Sequence, residues 1–123
     1  MSGSARKRVA VVDDDPRVLE SLQDLLESAG YDVRVYSSGA LLLSGGVADV
    51  DCLITDVGML EMDGFELRER VRLLRAELPV FLISGRNDLT EDDRLGASEF
   101  FRKPFDGSIL LTAIHEAVRG RTR

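Results

Sequence analysis

Several short apolar runs in the sequence end in a polar residue that could do chemistry. "RVAVVD" ends at Asp13 with Asp14 next, "CLIT" runs into Asp56, "VFLIS" stops at Ser84, and "SEFFRK" stops at Lys103 before Pro104. Three carboxylates gathered in one place would repel one another, and a hard divalent cation such as Mg²⁺, which takes oxygen ligands and keeps several waters, would offset that repulsion. His115 and Cys52 each stand alone in composition, so no imidazole or thiolate nest points to a softer metal. Lys103 adds a positive charge on a flexible stem suited to an anion, and Ser84 adds a hydroxyl donor. A metal, a lysine and a hydroxyl aimed at one carboxylate make a site for a phosphoryl group. Asp56 is then the nucleophile, and it becomes an acyl phosphate. Phosphoryl transfer needs mainly positioning and charge neutralisation, which these groups supply. Gly58, two places after Asp56, leaves the approach open and offers its backbone carbonyl as a further metal ligand.

These residues share a site only if the chain brings the ends of its strands together. The hydrophobic pattern predicts that it does. Residues 8–13, 31–36, 52–55, 80–84 and 98–103 read as strands, most of them too apolar to have a wet face. Between them lie helical patterns. Asp15 and Pro16 open a helix with Val18, Leu19, Leu22, Leu25, Leu26 and Ala29 on one face, and Gly30 ends it. Residues 38–46 give a brief helix between glycines. Residues 65–78 place Leu67, Val71, Leu74 and Leu78 on one face up to Pro79. Residues 88–97 predict a short or irregular fourth helix. Asp106 caps a last helix with Leu110, Ala113, Ile114, Ala117 and Val118 as its stripe. A β-α unit repeated five times, with strands buried on both faces, is an α/β chain with a parallel sheet between helix layers. Ligands of such sheets bind beyond the carboxyl ends of the strands, where the polar residues fall.

Composition narrows the function. The chain has 123 residues, 44% hydrophobic and 31% charged, which fits one ordinary globular domain. The net charge of -6 argues against direct nucleic-acid binding. No apolar run approaches the ~18 residues of a membrane span. The opening "MSGSARKR" lacks the apolar centre of a signal peptide. Cys52 is the only cysteine, which makes an internal disulfide impossible, so the expected compartment is a reducing cytoplasm. Residues 1–7 are expected to be a flexible tail, 8–119 the domain, and 120–123 a tail or the start of a linker. Cys52 reads as core and His115 as helix surface.

The stretches "VVDDD" (11–15), "ITDVGMLEMDG" (54–64), "LISG" (82–85) and "FFRKPF" (100–105) occur in an order and spacing that resembles the receiver domain of two-component response regulators. The wording is similar to the FixJ/NarL-type regulators and their single-domain relatives. The resemblance implies a flavodoxin-like (βα)₅ three-layer sandwich, its five parallel strands in the order 2-1-3-4-5. It implies Asp56 as phosphoacceptor, Asp14 as direct Mg²⁺ ligand, Asp13 as a ligand through water, and the Gly58 carbonyl as the backbone ligand. It further implies Ser84 as the switch hydroxyl, Lys103 as the phosphate-binding lysine, Phe100 as the rotating aromatic, and a cis bond before Pro104. A sensor histidine kinase or phosphotransfer protein would supply the phosphoryl group. The face made by the fourth helix, fifth strand and last helix would then act on an output domain or partner, with a phosphorylation-dependent dimer as one form of output.

The sequence departs from the family pattern at Leu60, where proline is usual, at Gly58, which is smaller than usual, at Arg86, which is larger, and in the length of 88–97. Two alternatives stand beside the switch, which is not itself an enzyme on another substrate. A receiver-like module could signal by binding without phosphorylation, although no glycine-rich phosphate loop follows the first strand. A metal-dependent phosphohydrolase of the haloacid-dehalogenase type would need a "DxD" ending its first strand. Here "DVD" (49–51) precedes the third strand, and no cap domain is present.

Overall fold

The computed structural model describes residues 6–59, 61–85, 100–103 and 106–119. The elements in chain order are β1 (Arg8–Val12), α1 (Pro16–Ser28), β2 (Asp32–Tyr36), α2 (Gly39–Gly45), β3 (Cys52–Asp56), α3 (Gly64–Leu74), β4 (Val80–Ser84), β5 (Phe100–Arg102) and a last helix, α4 (Gly107–Arg119). The strands form one parallel sheet in the order β2-β1-β3-β4-β5, as the resemblance implied. The segment expected to form an irregular helix, 88–97, lies outside the described residues, as do Leu60, Arg86 and Pro104.

Two apolar clusters flank the sheet and make the three layers. Val9, Val11, Ile54, Phe81 and Ile83 face Leu22 and Leu26 of α1 and Leu110, Ile114 and Val118 of α4. Ala10, Val12, Leu53 and Leu82 face the other way, toward Leu42 of α2 and Leu67 and Val71 of α3. Successive strand side chains point to opposite faces, so a strand covered on both sides buries consecutive residues and is apolar until its polar end. That is why all five residues of β3 and all five of β4 are buried.

The helix caps follow the sequence. Asp15 accepts the Arg17 N–H at the start of α1. Ser38 accepts from Leu41 at α2, and Asp63 accepts from Glu66 at α3. Asp106 accepts from the Ser108 amide and hydroxyl at the start of α4. Two expectations on the core side need correction. The third helix ends at Leu74 rather than at residue 78, and Leu74 is 60% exposed instead of facing the core. Arg75 is the reason. It leaves the helix in an extended conformation, and its guanidinium donates to the carbonyls of Val47, Ala48 and Val50 in the loop before β3. Leu78, three residues past that turn, fills the core position. At α1, Ala29 is the C-cap and is exposed instead of completing the buried stripe.

Candidate functional site

Strand register alone brings the polar strand ends together. Val12 of β1 lies opposite Thr55 of β3, so the next residues, Asp13 and Asp56, are neighbours. Asp56 lies opposite Ile83, which puts Ser84 one step beyond. Ser84 lies opposite Arg102, so Lys103 follows one step further on. The main chain locks this arrangement. Asp13 donates its N–H to the Tyr36 carbonyl at 3.1 Å, Val57 donates to Ile83 at 2.8 Å, and Lys103 donates to Ser84 at 2.6 Å.

The side chains converge on one pocket. The Lys103 ammonium stands 3.2 Å from Asp13 Oδ2 and 3.1 Å from Asp56 Oδ1. Asp14 joins them, and one carboxylate oxygen from each of Asp13, Asp14 and Asp56 lies within 4.8 Å of the others. Asp13 and Asp56 are buried, whereas Asp14 is exposed at the mouth. Asp13 also accepts the Asp15 N–H on Oδ1 at 2.9 Å. Burial pushes the Asp13 carboxyl above its ordinary value and the charge of Asp56 adds to this, while the Asp15 amide and Lys103 pull the other way. For Lys103, burial works against the charge, but the carboxylates of Asp13 and Asp56 outweigh it and raise the ammonium above its ordinary value. The pocket therefore holds a lysine firmly charged between two buried acids.

Three carboxylates within reach of a single point form an all-oxygen donor set. That chemistry fits a hard cation such as Mg²⁺ and not a soft one. Gly58 follows in the half-buried loop after β3. Ser84 is buried at the end of β4. Phe100 is partly buried and packs on the cluster shared with α2 and α3.

Three features around the site were not foreseen from the sequence. Gly64 starts α3 directly under the acceptor strand: a Cβ there would lie 2.5 Å from the Asp56 carbonyl oxygen and 2.9 Å from Val57 Cα. The one signal in the sequence was the Asp63-Gly64 pair directly before the helical pattern of 65–78. Glu61 adopts a left-handed conformation with φ of 66°, close before the cap residue Asp63. Arg17 stands at 3.4 Å from both carboxylate oxygens of Asp15, the residue whose N–H bonds Asp13.

A doubly wound parallel sheet with an acid-rich pocket at its carboxyl edge defines a flavodoxin-like α/β protein. Comparison with known proteins gives the family. The family model described as "Response regulator receiver domain" matches residues 9–115, and the chain belongs to that family. It is 38% identical over 114 residues to the transcriptional regulatory protein FixJ of Azorhizobium caulinodans, covering 89% of this chain and 54% of that one. It is 37% identical to the response regulator protein TmoT of Ectopseudomonas mendocina, covering 90% of this chain and 52% of the other. The chain thus spans about half the length of the curated relatives it matches. Among solved structures, a response regulator receiver domain protein from Clostridium thermocellum superposes with a TM-score of 0.84 at 26% identity, over 94% of this chain and 96% of that one. Among the described residues, no helix is long and apolar enough to cross a membrane.

Proposed function

We propose that this chain is the phosphoacceptor switch of a two-component signalling system, with Asp56 taking a phosphoryl group from a sensor histidine kinase or phosphotransfer protein. The observation that carries the proposal is the pocket in which Lys103 bridges Asp13 and Asp56 while Asp14 closes the acid cluster. In the transfer, an Asp56 carboxylate oxygen forms a bond to phosphorus, and the bond from phosphorus to the donor's imidazole nitrogen breaks. The electron pair leaves with that nitrogen, and because the donor ring is protonated on its other nitrogen, it departs as neutral imidazole rather than imidazolate. Lys103 supplies positive charge where the phosphoryl oxygens gather. Asp13, Asp14, Asp56 and the Gly58 carbonyl would hold Mg²⁺, which when bound neutralises charge on the phosphoryl oxygens and the acceptor. Both oxygens of Asp13 already accept a hydrogen bond, which supports a role for Asp13 through water and for Asp14 as a direct ligand.

Ser84, at the end of the neighbouring strand, is the hydroxyl that turns toward the phosphoryl group. Phe100 is the aromatic that follows it. The face carried by β5 and α4 then favours a partner, an attached output domain or a second copy of the chain. The regulator names of the relatives and their greater length support control of an output domain. The functional unit is 8–119, and the cytoplasm is where such a chain would work.

The test is intact-mass measurement after incubation with acetyl phosphate and Mg²⁺, and after incubation with a phosphorylated histidine kinase. Wild type gains one phosphoryl group and Asp56→Asn gains none. Equal labelling of Asp56→Asn, or no labelling of wild type by any donor, would overturn the assignment. Steady turnover of p-nitrophenyl phosphate would instead favour a phosphohydrolase.

A further inference from the structure

The pocket does not end at Asp13. A continuous chain of polar contacts runs outward from it along the start of α1. Lys103 Nζ bonds Asp56 at 3.1 Å and Asp13 at 3.2 Å, and Asp13 Oδ1 accepts the Asp15 N–H at 2.9 Å. The Asp15 carboxylate then holds the Arg17 guanidinium, with Nε to Oδ1 and Nη2 to Oδ2 both at 3.4 Å. The Arg17 side chain is 89% exposed. Asp15 is committed to capping α1 through the Arg17 N–H at 3.0 Å, so it keeps that bond whether or not the guanidinium stays. Charge-assisted contacts usually close to about 2.7–2.9 Å. Those of Arg17 are longer, so the guanidinium is held loosely at the rim. A donor phosphate approaching here meets four aspartates, Asp13, Asp14, Asp15 and Asp56, against the two cations of this contact chain, Lys103 and Arg17.

We infer that Arg17 guides the phosphoryl donor, its guanidinium moored on the Asp15 cap and able to turn from that carboxylate to a phosphate oxygen at the pocket mouth. The inference rests on the phosphoacceptor reading and adds a residue to it. The ligand class is an anionic phosphoryl group, whichever molecule carries it. Arg17 makes no bond in the transfer. It raises the local concentration of an anion in front of an acidic pocket, an effect that ionic strength screens with a Debye length of about 10 Å at 0.1 M.

The experiment compares wild type with Arg17→Ala, Arg17→Lys and Arg17→Glu. It measures the second-order rate of labelling by acetyl phosphate in Mg²⁺ across a range of ionic strength, with no kinase present. At low salt Arg17→Ala is expected to react about three- to tenfold more slowly, Arg17→Glu more slowly still, and Arg17→Lys near wild type. The differences shrink as salt rises, while the unfolding midpoints stay together. Rates that match wild type at every ionic strength overturn the inference, as does a loss indifferent to salt and to the charge at position 17. In a parallel assay with a phosphorylated histidine kinase as donor, a loss confined to transfer from the kinase also overturns it, because that places Arg17 in a protein contact. If wild type itself takes no label, the phosphoacceptor reading falls with it; if wild type labels and Arg17 does not matter, only this inference falls.

Discussion

At the scale of single residues, the pocket shows that two members of one ion pair need not contribute to stability with the same sign. Asp13 is buried, and its raised proton affinity records the cost of keeping that carboxylate charged. Lys103 has the opposite place: it is the cation for two buried acids. Removing one partner of a buried pair strands the other, whereas removing the costly charge relieves it. In chelator at neutral pH, Lys103→Met is therefore expected to lower the unfolding free energy by about 1–3 kcal/mol. Asp13→Asn, which leaves Lys103 with Asp56, is expected to be as stable as wild type or more so. Urea unfolding of the two variants checks this, and a loss of equal size in both would contradict it. Asp13 and Lys103 were both visible in the sequence as polar ends of apolar runs. The balance between burial and pairing was not, because it depends on which neighbour each side chain meets across the sheet.

At the scale of elements, what the sequence concealed was contact between elements distant along the chain. Periodicity placed α1, β3, β4 and the last helix because each has a face that must be dry. It failed at Leu74, where the helix is ended by a bond that has no period. Arg75 donates to Val47, Ala48 and Val50, more than twenty positions earlier, and this ties the end of α3 to the loop that leads into β3. Arg75→Ala leaves those carbonyls without their charged donor and is expected to cost about 1.5–3 kcal/mol. Arg75→Lys should recover only part, since an ammonium lacks the spread of a guanidinium. Amide exchange in residues 46–51 should rise in both variants, and unchanged protection there would refute the tie. Gly64 makes the same point at the other end of α3. A methyl group at 2.5 Å from the Asp56 carbonyl oxygen can be accommodated only if the helix or the acceptor strand moves. Gly64→Ala is expected to cost about 1–3 kcal/mol and to slow labelling of Asp56 as well. A destabilised variant that labels at the wild-type rate would show that the helix moved and the acceptor did not. The α4 cap gives a dependence on pH. Bonds from the Ser108 hydroxyl and amide and from the Ile109 amide hold the Asp106 carboxyl below its ordinary value. The folded state thus binds this proton less readily than the unfolded one. The contribution is present above the ordinary aspartate value of about 3.9 and is lost as pH falls through the lower folded value. Asp106→Ala should melt below wild type at neutral pH, and the gap should close in acid.

At the scale of the whole molecule, the site is a property of the topology. Asp13, Asp56 and Lys103 are contributed by the ends of β1, β3 and β5, and β4 separates the last two strands in the sheet. The strand order was legible because buried parallel strands joined by helices allow few arrangements, and the motifs resembled a family with one of them. Lys103 reaches its acids across the β4 edge, which no local pattern encodes. The unfolded chain cannot assemble this donor set, so a cation that uses it binds the folded state almost alone and must stabilise the entire fold. At a free concentration of 100 times its dissociation constant, such a cation adds about 2.7 kcal/mol. For a chain of this size that is a rise of about 10 °C in melting temperature. Titration with Mg²⁺ should therefore raise the wild-type midpoint steadily with the logarithm of concentration. Asp14→Asn and Asp56→Asn should lose most of the rise, and Asp15→Asn, which alters the cap but not the acid cluster, should keep it. An equal rise in all four proteins would mean that Mg²⁺ stabilises by screening the net charge of -6, and the pocket would then not be a metal site.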